Sequence, residues 1–158
     1  MNKKSQFGIA FLILIGFFLI SGISTVYSNY LFNKNIGDYC KLSYASSSID
    51  KKIEYFDKCS ELLVNEDLKG YSAWWFYKPI NNVKNSYEVM FSLQSRLHDL
   101  KDMDRTSFQY QTGMQQVEDE LEYFVNGNCD DKDICSGSML SRFSTAYCYK
   151  ISAKYICW

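Results

Sequence analysis

The stretch FGIAFLILIGFFLISGISTV, from Phe7 to Val26, decides the fold of this chain. It contains no charged residue, and the basic pair Lys3 and Lys4 precedes it. At 1.5 Å rise per residue, a helix of this length is about 30 Å long, which matches the hydrocarbon core of a bilayer. We therefore predict a transmembrane anchor at residues 7–26.

The two lysines also predict the orientation of the anchor, because basic residues are retained on the cytoplasmic side of a membrane. Residues 1–6 then form a short cytoplasmic tail, and everything after the anchor is extracytoplasmic, in a periplasm or at the cell exterior. We expect a juxtamembrane segment at 27–47 and a helical domain at 48–158. Tyr27, Tyr30 and Phe32 follow the apolar run where aromatic side chains favour lipid headgroups.

A cleavable signal peptide is the alternative interpretation of the same residues. It shares the basic start, although its apolar region is shorter, roughly 7–15 residues. Val26-Tyr27-Ser28 would allow cleavage after Ser28 and release of a soluble secreted protein. The two interpretations differ only in whether the apolar segment stays attached.

Six cysteines follow the apolar run, and none precedes it: Cys40, Cys59, Cys129, Cys135, Cys148 and Cys157. An even number on the exported side is typical of disulfides formed in an oxidising compartment. A zinc site would need closely paired ligands, and the chain has a single histidine, His98. We predict three disulfides, with Cys40–Cys59 as the first choice of pairing and Cys129–Cys135 as a second.

The residues after the anchor predict one all-α domain, a small disulfide-stabilised bundle of about four helices. Ser47 and Asp50 match a capping box, and Ile49, Ile53, Phe56 and Leu63 then recur at helical spacing. The same rhythm occurs in three more stretches, through Ile80, Val83, Tyr87, Met90, Gln94 and Leu97, then Tyr110, Met114, Val117, Leu121 and Phe124, and finally Leu140, Phe143, Tyr147 and Ile151.

The second and third of these stretches predict a long antiparallel helical hairpin with a polar turn near 102–106. One continuous helix is the alternative. Asn126-Gly127-Asn128 would end the third stretch, because glycine adopts the left-handed conformation of a helix C-cap. The last helix should begin near Ser138.

Four consecutive aromatic residues, Trp74, Trp75, Phe76 and Tyr77, form the most unusual local feature. Successive residues of a helix point about 100° apart, so these side chains cannot all enter one core. Trp and Tyr are enriched in protein interfaces and at membrane surfaces. We predict that this cluster contacts a partner protein, with core packing and membrane contact as alternatives.

Residue types suited to catalysis are scarce. His98, with Asp99 and Asp102 nearby, is interpreted as a surface residue of a charged helix, and the chain contains no G-x-S-x-G or C-x-x-C motif. The acidic stretch from Asn128 to Asp133 lacks the glycine and glutamate of an EF-hand, so we interpret it as a solvated loop.

Composition sets the remaining limits on function. The chain has 17 basic and 18 acidic residues without a basic block, so nucleic acid is an unexpected partner. We expect no cofactor and no metal. The sequence predicts a non-enzymatic, single-pass membrane protein whose extracytoplasmic domain binds another protein, for example as an accessory subunit of a membrane or surface assembly. A secreted helical effector or inhibitor is the alternative.

Overall fold

The computed structural model describes residues 3–68, 70, 83–127 and 138–156, and within these ranges all regular secondary structure is helical. The predicted all-α class is therefore confirmed. The elements in chain order are α1 (Lys3–Phe32), a π-helical segment (Asn33–Gly37), α2 (Asp38–Ala45), α3 (Ile49–Asn65), α4 (Val83–Lys101), α5 (Phe108–Asn126) and α6 (Met139–Ile156).

The first three elements follow one another without a gap, so the chain is helical from Lys3 to Ala45. Residues 27–47, expected as a separate juxtamembrane segment, mostly continue the helix that contains the apolar run. The chain turns only at Ser46 and Ser48, whose backbones are extended. No helix end marks the predicted boundary between residues 26 and 27.

One hydrophobic core joins this long helix to the other elements. Phe32, Ile36 and Cys40 belong to the core, so the packed domain begins earlier than the predicted residue 48. The members contributed by α3 to α6 include the following: Ile49, Ile53, Phe56, Cys59, Leu63, Val83, Tyr87, Met90, Leu93, Leu97, Leu100, Val117, Leu121, Phe124, Leu140, Phe143 and Tyr147. The helical periodicity of the sequence thus identified most of these buried positions.

The start of α3 differs in detail from the predicted capping box. Its N-cap is Ser48 instead of Ser47, and the Ser48 side chain forms no capping hydrogen bond. Asp50 lies in the first turn, where a negative charge is favoured by the helix dipole. Its carboxylate pairs with Arg105, at 3.2 Å, across the end of the bundle.

Helices α4 and α5 form the predicted hairpin, and the polar turn lies where the sequence indicated. Ser107 Oγ caps α5 by accepting a hydrogen bond from the Tyr110 N–H at 3.1 Å. The helices approach closely at Gly113, where a Cβ would lie 2.6 Å from Leu100 Cδ2 and would displace that side chain. Arg96 Nη1 also donates to Glu120, so residue numbers rise on one helix as they fall on the other.

The end of α5 and the start of α6 lie at the residues that the sequence predicted. Gly127 ends α5 with φ 75° and ψ 165°, so φ is positive as expected. Its ψ lies outside the left-handed helical well, in a region that is essentially restricted to glycine. Ser138 precedes α6, and its Oγ accepts from the Ser141 N–H at 3.0 Å.

The contacts between helices define two ends of the bundle. At one end, which we call the distal end, the turn at 46–48 and the hairpin turn are joined through Asp50 and Arg105. At the other end, which we call the α1 end, Tyr87 Oη donates to the Leu63 carbonyl at 2.6 Å. The exposed part of α1 extends from the α1 end.

Candidate functional site

The apolar half of α1, residues 11–27, carries the most exposed hydrophobic surface of the described chain. Nine large apolar side chains in it are between 41% and 71% exposed: Phe11, Leu12, Leu14, Ile15, Leu19, Ile20, Ile23, Val26 and Tyr27. A contiguous apolar surface of this size marks a site of interaction with a membrane or another protein. Among the described residues this is the one helix long and apolar enough to cross a membrane.

From Ser28 onward this helix buries one of its faces. Ser28 is 1% exposed and Phe32 is fully buried, whereas Val26 and Tyr27 are open. Helix α6 covers the helix from this point, since Ser144 Oγ donates to Asn29 Oδ1 at 2.8 Å. The rings of Phe32 and Tyr147 also pack with centroids 5.6 Å apart. The packed domain therefore begins within two residues of the end of the predicted span.

The π-helical segment follows this change of exposure along the chain. Asn33 Nδ2 donates to the Asn29 carbonyl at 3.0 Å, and Asn33 Oδ1 accepts from Lys41 Nζ at 3.3 Å. A Cβ at position 37 would lie 2.9 Å from Asn33 Oδ1, so Gly37 makes room for this side chain. Segments of π-helix are rare and often occur at functional positions. The sequence pattern gave no signal for this one.

The predicted Cys40–Cys59 disulfide is present, with its Cα atoms 5.3 Å apart, and it links α2 to α3. Both cysteines are fully buried. Cys148 forms no disulfide within the described part of the chain. Cys129, Cys135 and Cys157 lie outside the described residues, and the other predicted disulfides remain predictions.

The predicted partner-binding cluster, Trp74, Trp75, Phe76 and Tyr77, also lies outside the described residues. The described positions nearest to it that are buried, Leu68 and Val83, both belong to the core. The Leu68 N–H donates to Tyr87 Oη at 3.4 Å, at the α1 end of the bundle. Leu68, which precedes the cluster, therefore lies at the α1 end of the bundle.

His98 is exposed, as predicted, but its partner is not a sequence neighbour. Its Nε2 lies 3.1 Å from both carboxylate oxygens of Asp57, which is on α3. Gln94 Nε2 donates to the same carboxylate at 2.7 Å. This arrangement joins α3 to α4 on the surface. Neither Asp99 nor Asp102, which the sequence suggested, supplies the contact.

A buried lysine, which sequence reasoning missed, lies in a surface cavity of about 440 Å³. The Lys52 side chain is 4% exposed, and its Nζ lies 3.5 Å from Glu118. The same Nζ donates to the Tyr44 carbonyl at 3.1 Å, in the last turn of α2. Since a helix end leaves carbonyls without partners, Lys52 stabilises the junction of α2, α3 and α5. A structural role therefore explains why the Lys52 side chain is buried.

Two polar groups illustrate how the surroundings shift protonation. Burial raises the pKa of Tyr87, and the Leu68 N–H opposes that effect by hydrogen bonding. Hydrogen bonds from the Thr106 N–H and hydroxyl lower the pKa of Asp104 in the exposed hairpin turn. Neither group lies near a cluster of candidate catalytic residues. Within the described ranges, no group of three or more His, Cys, Asp or Glu residues is placed to hold a metal ion.

The acidic stretch from Asn128 to Asp133 lies outside the described residues. The candidate functional site is therefore the apolar half of α1, together with its junction to the domain. Comparisons with models of known protein families, with characterised proteins and with solved structures find no match.

Proposed function

We propose that this chain is a single-pass membrane protein that presents a helical domain outside the cytoplasm for binding to another protein. Residues 7–26 span the bilayer, residues 1–6 are cytoplasmic and the C-terminal domain is extracytoplasmic. The protein acts without catalysis, as an accessory subunit of a membrane or surface assembly.

The observation that carries this proposal is the change of exposure within one helix. A soluble domain buries most of its large apolar side chains, but nine of those in residues 11–27 are exposed, whereas from Ser28 the same helix buries one face in the domain. Transferring apolar surface out of water contributes about 25 cal/mol per Å², so a bilayer around this half is strongly favoured. The helix has the length that this environment requires.

The buried Cys40–Cys59 bridge supports the extracytoplasmic position of the domain. Structural disulfides form and persist in oxidising compartments and are rare in the cytosol. The basic pair Lys3 and Lys4 favours the same orientation, because basic residues are retained inside. Two independent features therefore support the same orientation.

Carbonate washing of membranes from expressing cells tests the anchor. The wild-type protein should stay in the membrane fraction, since salt does not weaken apolar burial. Ile20→Lys places a charge at an exposed position of the span, which costs about 2.5–3.5 kcal/mol near a helix centre and should release part of the protein. Ile20→Leu is the matched control and should behave as wild type. Complete extraction of the wild-type protein would refute the anchor.

Co-purification from native membranes after mild solubilisation tests the partner-binding role of Trp74, Trp75, Phe76 and Tyr77. Trp75→Ala should lose the partner, since truncation of an aromatic hot spot commonly costs at least about 2 kcal/mol. Phe108→Ala is the matched control, because Phe108 is an 80% exposed aromatic residue on α5. Both variants should retain wild-type circular dichroism. Equal binding by both would assign the cluster to another role.

Cleavage after Ser28 remains the second candidate, and the structure offers one observation in its favour. Every described core residue lies beyond that position, so a chain starting at Asn29 would keep Phe32, Ile36 and Cys40. Such a product would be a secreted effector or inhibitor. Intact mass spectrometry of the protein from its native source distinguishes the two, because a soluble species beginning at Asn29 supports secretion.

A further inference from the structure

The junction between the apolar half of α1 and the domain has the features of a rigid joint. The chain passes from the exposed half into the core without leaving helical conformation. On the domain side, Ser28, Phe32, Ile36 and Cys40 are all buried. The last of these is bonded to α3 through the disulfide. A hinge would require an exposed non-helical linker, and the described residues between the two regions contain none.

The four-residue spacing of these buried positions explains why a π-helical segment is present. In an α-helix each four-residue step turns about 40° beyond a full circle, so three steps displace a side chain by about 120°. Cys40 would then point away from the side that Ser28 faces. A π turn accommodates about one additional residue, which removes about 100° of this displacement. The segment Asn33–Gly37 therefore keeps all four residues on one side.

The contacts with α6 fix the rotation of the joint. Asn29 pairs with Ser144 and Phe32 packs on Tyr147, so the face of α1 that carries Asn29 and Phe32 lies against α6. Thr25 is four residues before Asn29 and lies on the same side of α1. Ile23 lies about 200° from Thr25 and faces away from α6.

From these observations we propose that the span and the domain form one rigid body, and that the π-helical segment sets the rotation between them. The joint transmits tilt and rotation of the span to the domain without loss. It also fixes which face of the domain lies along the membrane and which face is presented to a partner. The membrane part of this inference rests on the proposed anchor, whereas the rigidity does not.

Distances between paired spin labels test the joint in the full-length protein in detergent and in phosphatidylcholine bilayers. Labels are introduced as unnatural amino acids, so that the native cysteines are left unchanged. One label replaces Tyr149, a partly exposed residue of α6, and the other replaces either Thr25 or Ile23. Both distance distributions should be narrow. The distance from Thr25 should be shorter by several ångströms, with the helix diameter of about 10–12 Å as the upper limit.

Insertion of Gly-Gly between Val26 and Tyr27 is the control, because both flanking side chains are exposed and the domain should still fold. It should broaden both distributions and remove the difference between Thr25 and Ile23. Broad or equal distances in the wild-type protein would overturn the rigid joint. Access of a label at Ile23 to lipid-soluble or water-soluble relaxants reports on the anchor separately. Access to water with narrow distances would refute the anchor but not the joint.

Discussion

The two halves of the helical path from Lys3 to Ala45 have the same secondary structure but opposite surfaces. In residues 11–27 the described large apolar side chains are exposed, whereas in residues 28–45 Phe32, Ile36 and Cys40 are buried and only Tyr30 and Leu42 are exposed large apolar side chains. The exposed positions of the second half include Lys34, Asp38 and Lys41, as expected for a helix that lies between a core and water. The comparison shows that one helical path has an exposed apolar half and a half that packs one face on the domain core.

The largest difference in stability between the two halves should appear when a large apolar side chain is truncated to alanine. Phe32→Ala leaves a cavity in a fully buried position and should lower the free energy of unfolding by about 3–5 kcal/mol. Ile20→Ala, in the exposed half, should change it little, since no packing is lost. Denaturant unfolding in detergent followed by circular dichroism measures both. Equal destabilisation would mean that the apolar half is packed against the domain.

A second comparison concerns the disulfide, which lies in the domain half of the helical path. Replacing Cys40 and Cys59 together by alanine should lower the free energy of unfolding by about 3 kcal/mol, because the unfolded chain gains freedom. This corresponds to a fall of roughly 10 °C in melting temperature. Both thiol positions are buried, so reductant should break the native bond only slowly. An unchanged melting temperature would exclude a stabilising role for the bridge.

Buried polar groups should contribute more to the free energy of unfolding than exposed ones. Tyr87 tests this at the α1 end. Tyr87→Phe removes the partner of the buried Leu63 carbonyl and Leu68 N–H, which should cost about 1–3 kcal/mol. The raised pKa of Tyr87 means that the folded state holds the phenol proton more tightly than the unfolded state. This part of the stability is complete below about pH 10 and is lost as pH rises through the folded pKa. The variant should show a weaker loss at alkaline pH.

The smallest effect should come from an exposed polar group at the distal end. Asp104→Ala removes the acceptor of the Thr106 N–H and hydroxyl bonds in the hairpin turn. Because the Asp104 pKa is lowered in the folded state, its contribution is present above the ordinary aspartate value and disappears as pH falls through the folded pKa. Thermal melting should show a slight loss at pH 7 that becomes smaller as the solution is acidified. A larger loss than in Tyr87→Phe would contradict the comparison.

The sequence predicted the helices of the domain well, because their stability comes from apolar faces that repeat with helical period. Ile53, Leu97, Leu121 and Phe143 were placed on such faces and are all buried. The helix ends were less predictable. Ser47 matched a capping pattern, yet the neighbouring Ser48 is the N-cap, since a pattern over four residues allows a shift of one position.

The polar contacts between helices could not be predicted from the sequence. Asp57 contacts His98, which is 41 positions further along the chain, and Lys52 reaches the Tyr44 carbonyl across a turn. Such pairs depend on how two helices pack, and many carboxylates of the chain could have served equally well. The candidate site was predicted in part, since the apolar run was evident while the buried junction above it was not.

The sequence by itself determined the helical class and the apolar run, and it favoured the hairpin turn and the pairing of Cys40 with Cys59 that the structure shows. These features depend on local composition, on a period of 3.6 residues and on short chain separations. Only the tertiary structure decided that the helix continues into the core and changes its winding at Asn33–Gly37. The reason is physical: buried residues spaced four apart stay on one side of a helix only where a π turn is present, and packing against α3 and α6 stabilises that turn. That requirement involves residues more than 100 positions away, as in the Asn29–Ser144 contact, and no local pattern contains it.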